Sequence, residues 1–113
     1  MLYNDSGMRD ERRRAVRVKK ALEIVYSSAS PPIEARIEDL SETGMFIETS
    51  HPLQVGALVE FTLPLRDEVE APVRGKAEVT WTDQAVGVGV RFTDLSVEDR
   101  ERIKWYVADL FFA

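Results

Sequence analysis

Two short stretches of this sequence carry groups that could bind a ligand. The first holds Arg12, Arg13, Arg14 and Arg17, four guanidinium groups within six residues. Such groups stay charged, fork onto phosphate oxygens, read guanine O6 and N7 in pairs and stack on rings. The second is Asp39-Leu40-Ser41-Glu42-Thr43-Gly44. Aspartate and serine suit a turn in which side chains satisfy free backbone N–H groups, and Gly44 is expected to supply a positive φ. An exposed carboxylate also pairs with the N1–H and N2–H₂ edge of guanine, leaving O6 and N7 to an arginine. Together the two stretches offer complementary halves of a site for a guanine nucleotide carrying phosphates.

Other chemistry is poorly supplied. The single histidine, His51, precedes Pro52 in a predicted turn, and an Asp39/Ser41/His51 triad lacks any nucleophile elbow or oxyanion motif. No enzyme is expected. Cysteine is absent, which removes disulfides, thiolate nucleophiles and cysteine-based metal sites. The carboxylates are scattered without a calcium-loop spacing, so neither metal nor cofactor is expected. Gly87-Val88-Gly89 lies inside a predicted strand and opens no helix, so it is no dinucleotide fingerprint. Glycines there let a neighbouring backbone, or a covering helix, come close.

The scaffold for these groups is legible in the alternation of apolar and polar residues, the mark of half-buried strands. Val16, Val18, Leu22, Ile24 and Tyr26 share one parity, and Ile33, Ala35 and Ile37 another. Short runs follow at Met45–Ile47, Val59–Leu63, Val73–Trp81 and Val86–Phe92, with Val73, Ala77, Val79 and Trp81 set on one face. Turn-forming stretches at 27–32, 39–44, 50–56 and 65–72 separate them. Only the last segment changes period. Ser96 is placed to cap a helix with Asp99 completing a capping box, and Ile103, Tyr106, Val107, Leu110 and Phe111 form one stripe. The expected fold is all-β with a C-terminal helix: a six-stranded antiparallel (split) barrel whose helix covers an open end or edge. A single domain spans 9–113, with a tail at 1–8, an arm at 9–17, a barrel at 16–93 and a helix at 96–111.

Charge narrows the partners. The chain of 113 residues carries 15 basic and 20 acidic groups, a net −5. Residues 9–20 hold seven basic and two acidic groups, a balance of +5, whereas residues 21–113 hold eight and seventeen, a balance of −9. An acidic body repels a phosphate backbone over most of its surface, so a nucleic-acid polymer is not the expected partner. A short basic arm suits a compact anion better. At 44% hydrophobic and 31% charged, the composition is that of an ordinary globular domain. No apolar run approaches the about 20 residues of a membrane helix, and the first fourteen residues lack a signal peptide's apolar stretch. A cytoplasmic location without membrane insertion is expected.

These residues give the chain a resemblance to the PilZ domain, the cyclic di-GMP receptor module of bacteria. That family is marked by Arg-x-x-x-Arg and, after the second strand, by Asp/Asn-x-Ser-x-x-Gly. Arg13-Arg14-Ala15-Val16-Arg17 matches the first and Asp39 to Gly44 the second, with no departure at a defining position. Gly87-Val88-Gly89-Val90-Arg91-Phe92 and the preceding Trp81 also resemble the family. Gly44-Met45-Phe46-Ile47 with Pro52-Leu53 and Val55-Gly56 is similar to the variant common in myxobacteria and related deltaproteobacteria. The resemblance spans roughly residues 9–112.

It implies a six-stranded barrel with a C-terminal helix and a site for cyclic di-GMP. Arg13 and Arg17 would contact phosphates and stack on guanine, Asp39 and Ser41 would meet a guanine edge and nearby polar atoms, and Gly44 would let the backbone come close. Arg12, directly before the motif, would accompany an intercalated pair of ligand molecules. The arm would fold over the nucleotide, and the output would pass through a protein effector, with the domain itself a monomer. The rival is an adaptor of the same fold that ignores the nucleotide. A DNA-binding arm on a small barrel is a third reading, and the net charge of −5 weighs against it.

Overall fold

A computed structural model describes residues 22–29, 31–51, 53–66 and 70–112. The tail at 1–8, the arm at 9–17 and Arg12, Arg13, Arg14 and Arg17 lie outside the described residues, as do Val16 and Val18.

Each strand buries the apolar members of its alternation. Strand β1 (Leu22–Ser27) turns Ile24 and Tyr26 inward, β2 (Ile33–Glu38) Ile37, and β3 (Gly44–Glu48) Met45 and Ile47. Strands β4 (Leu58–Leu63), β5 (Val73–Asp83) and β6 (Gly87–Asp94) add their own inward rows, and all join one core. The strands close into an antiparallel barrel in the order β1-β2-β3-β6-β5-β4. Closure gives each described strand two neighbours, although β1 meets β4 only over Val25–Ser27 and β2 meets β3 only over Arg36–Glu38.

The parity expected for β5 breaks once. Register shifts between Lys76 and Ala77 and between Val79 and Trp81 insert a bulge, which swings Trp81 to the outer face. It is exposed there and stacks on Phe46 with ring centroids 5.3 Å apart. The seat is Gly89, where any Cβ would run into the indole. So this glycine makes room for a side chain, whereas Gly87 admits the Ile47 backbone as a close strand neighbour. Val86, expected in a strand, lies in the turn before β6.

Helix α1 (Val97–Phe111) starts where Ser96 accepts the Asp99 N–H at 3.0 Å. The Asp99 carboxylate pairs with Arg102 at 3.0 Å, so it helps fix the helix rather than complete the box. Ile103, Tyr106 and Val107 are buried in the barrel core cluster, while Phe111, expected on that stripe, is exposed. Polar ties fasten the helix at the end of the barrel carrying the 39–43 and 64–72 loops. Arg66 pairs with Asp109 at 2.6 Å and stands over the Tyr106 ring, and Arg102 donates to the Ala71 carbonyl.

Candidate functional site

The loop from Asp39 to Gly44 leaves β2 at the helix-bearing end and returns as β3. Two buried anchors shape it. Leu40 drops into the core with no exposure, and Ser41 follows it just as deeply. The Ser41 hydroxyl accepts the Thr43 and Gly44 N–H groups at 3.1 and 3.3 Å, and the Ser41 N–H donates to the Gly44 carbonyl at 2.9 Å. The loop is therefore closed by its own serine.

Its glycine works differently from the sequence expectation. Gly44 does not take a positive φ, and the left-handed residue is Asp39, at φ 56°. Gly44 is needed because β3 runs so close to β6 that a Cβ would strike the Val90 carbonyl oxygen. Aspartate tolerates the left-handed region better than most residues with a Cβ. The kink at Asp39 sends the chain off the end of β2 and leaves this half-buried carboxylate at the rim.

Neighbouring strands add groups that sequence reasoning left unplaced. Phe46 lies opposite Glu38 in the β2–β3 register, so the Phe46–Trp81 stack begins beside the loop. Arg91 pairs across from Gly44 and forms an exposed ion pair with Glu78 at 3.0 Å. Only the outward bulge at Trp81 brings these rings together, and no alternation rule announces a bulge. Behind the loop, Arg100 of α1 donates to the Glu42 carbonyl at 2.8 Å.

The structure thus unites Asp39, Ser41 and Gly44, with the latter two building the loop and Asp39 at its lip. Arg12, Arg13 and Arg17 lie outside the described residues. Leu22, the first described residue, opens β1 paired with Ile37, two residues before Asp39. Among the described residues no group of His, Asp or Glu side chains could hold a metal ion, and no helix is long and apolar enough to cross a membrane.

Comparison with known proteins points one way. The family model for the PilZ domain matches residues 11–109. No curated protein matches the chain by sequence. Among solved structures, the chain is similar to the inhibitor of motility MotI/DgrA of Bacillus subtilis, at 16% identity and TM-score 0.77, covering 89% of this chain. It spans about half of that protein, 52%. The PilZ domain of Escherichia coli YcgR, solved with c-di-GMP, matches at 17% identity and TM-score 0.68, over 89% of this chain and 92% of its own. The PilZ domain of CeSA from a cellulose-synthesizing bacterium gives 20% identity and TM-score 0.60, over 85% and 94%. At these identities the structural likeness establishes the fold alone.

Proposed function

The chain belongs to the PilZ domain family, and from that premise we propose that it is a cyclic di-GMP receptor that signals through a protein partner. One observation carries the assignment. Leu22, the first described residue, pairs with Ile37 two residues before Asp39, which supports a site shared by the Asp39 rim and the arginines that precede Leu22 in sequence. The YcgR domain with c-di-GMP bound supports the choice of ligand.

The roles follow from residue chemistry. Arg13 and Arg17 grip phosphate oxygens and lie against the guanine faces. Arg12 serves a second, intercalated nucleotide. Asp39 accepts from the guanine N1–H and N2–H₂ edge, and the exposed Phe46–Trp81 stack offers a flat neighbour to the base. Ser41 and Gly44 act through the loop, holding Asp39 at its angle. Residues 9–17 close over the bound nucleotide. Ordering them costs about 1–2 kcal/mol per residue, which several charge-assisted bonds of about 1.5–3 kcal/mol each can offset. Amide exchange reads this directly: protection of residues 9–17 rises with ligand, and equal protection in both states would rule out the closing arm.

A second reading, an adaptor that ignores the nucleotide, draws on one observation. Ser41 and Gly44 are fully accounted for by folding, so a nucleotide-blind domain would also retain them. Isothermal titration with cyclic di-GMP, with GTP and cyclic di-AMP as controls, separates the two. Guanine-selective micromolar binding establishes the receptor, and a stoichiometry of two supports the role of Arg12. Silence from a folded sample at high micromolar ligand leaves the adaptor.

A further inference from the structure

Helix α1 has a second apolar face that the barrel does not use. Val97, Trp105 and Phe112 are 80%, 60% and 79% exposed. With the C-cap Phe112 counted in, at about 100° per residue they fall within an arc of about 80° that also holds Glu101, opposite the buried Ile103, Tyr106 and Val107. Exposed aromatics in a row are what the centres of protein interfaces are made of.

The charges of the helix are sorted as well. Arg100 and Arg102 turn toward the barrel, bonding the Glu42 and Ala71 carbonyls and Glu70. Asp109 is matched by Arg66. Glu98 and Glu101 are exposed and in no ion pair among the described residues; Glu101 lies within the outward arc and Glu98 at its edge, with Lys104 the helix's basic side chain at the other edge. The body behind it is acidic too, with seventeen acidic against eight basic groups over residues 21–113.

This sorting chooses among occupants. A second copy docked antiparallel about Trp105 would set Glu101 against Asp109, and a parallel copy would set each acid against itself. Like charges at such positions are repulsive. An anionic membrane meets the same acids unfavourably. An amphipathic helix with lysine or arginine beside its apolar face satisfies both the stripe and its flanks.

We infer that the outward face of α1, centred on Trp105 and Phe112, docks a basic amphipathic helix of the effector protein. This rests on the receptor reading for its trigger only. Arg100, bonded to the carbonyl of Glu42, ties the docking helix to the nucleotide loop, so a ligand at Asp39 and a partner on Trp105 act on one element. The face itself exists without ligand.

The test uses a fluorescent synthetic helix of leucine and lysine in amphipathic order, with a leucine–glutamate helix as its counterpart. Anisotropy measures binding to the full chain, with and without cyclic di-GMP. A Trp81→Phe background leaves Trp105 as the only indole, and its emission shifts to the blue as the lysine peptide docks. Trp105→Ser and Phe112→Ser retain every carboxylate, and because both side chains are exposed their thermal midpoints stay close to the parent's. Each is expected to weaken the lysine peptide at least about tenfold. Calorimetry on Trp105→Ser and Phe112→Ser with Trp81 intact expects unchanged cyclic di-GMP affinity, so failure of nucleotide binding is seen separately from failure of docking. The proposal is overturned by unchanged peptide affinity in the serine variants or by equal binding of the glutamate helix. It is equally overturned by a Trp105-dependent dimer of the chain alone or by a Trp105 blue shift on anionic vesicles.

Discussion

Replacing Ser41 by alanine should lower stability and nucleotide affinity together, and the size of the loss can be worked from the loop. The side chain is fully buried, so the substitution removes a hydroxyl without opening a cavity of consequence. That hydroxyl holds the N–H groups of Thr43 and Gly44. Thr43 is exposed and can turn to water, losing a net bond of about 0.5–1.5 kcal/mol. Gly44 is buried, and its N–H would be stranded at a cost of about 1–3 kcal/mol. The sum is about 1.5–4.5 kcal/mol. For a domain of this size that lowers the thermal midpoint by about 6–18 °C, at roughly 4 °C per kcal/mol. Calorimetric melting of ligand-free Ser41→Ala, beside Asp39→Asn as a rim control, provides the assay. The asparagine variant is expected to lose cyclic di-GMP with a smaller fall in melting temperature than Ser41→Ala. If Ser41→Ala kept its midpoint and lost only the nucleotide, the hydroxyl would be a ligand contact and the loop account wrong.

Other substitutions separate the parts. Arg13→Ala and Arg17→Ala each abolish most cyclic di-GMP binding in calorimetry with little change in the ligand-free midpoint; an Arg17→Ala chain that failed to fold would make that segment structural. Asp39→Gly and Asp39→Ala both lose affinity, but the glycine variant is the more stable by about 1 kcal/mol in urea unfolding, because it relieves the left-handed backbone. Equal stability would mean that the kink carries no strain. Gly44→Ala forces a Cβ against the Val90 carbonyl and should cost about 3 kcal/mol or more by chemical denaturation, since backbone rather than a flexible side chain must move. Gly89→Ala unseats Trp81, seen as a changed indole emission with the barrel intact by far-UV circular dichroism.

The barrel was legible because each of its strands has a wet and a dry face, so alternation in sequence maps directly onto burial. Ile24 and Tyr26, or Val59, Phe61 and Leu63, sit inside as their spacing dictates. The mapping fails where backbone geometry intervenes. Trp81 shares a parity with Val79, and only the bulge between them sends it outside. Phe111 fits the apolar stripe of α1 by spacing, yet the helix runs past the core before reaching it. Gly44 was recognisable as a required glycine, but its reason is a close strand approach visible only once β3 and β6 are paired. At the site, residue types pointed to the loop. They could not tell that Ser41 spends its hydroxyl within the loop while Asp39 remains at the rim.

The closed barrel also constrains how any message leaves the domain. Each of the six described strands has a neighbour on both sides, so little strand edge is left for a partner to extend and side-chain surfaces carry most recognition. The loop bearing Asp39 is internally bonded through Ser41 and pinned through Glu42 to Arg100, while Thr43 accepts the Phe92 N–H at 2.9 Å. An element held at consecutive residues is poorly suited to large rearrangement. Under the proposed closing of residues 9–17, ligand binding acts on that segment and on the load carried by the Arg100 bond. Coupling of that kind is reciprocal: a helix docked on Trp105 must tighten nucleotide binding by the same factor by which the nucleotide tightens the helix. Replacing Arg100 by glutamine removes the guanidinium that reaches the Glu42 carbonyl and leaves both binding surfaces in place. Titrations of the leucine–lysine helix with and without cyclic di-GMP should then show the two ligands binding independently. If their mutual enhancement persisted in Arg100→Gln, coupling would not run through the Arg100–Glu42 bond, and the helix would be a passive platform.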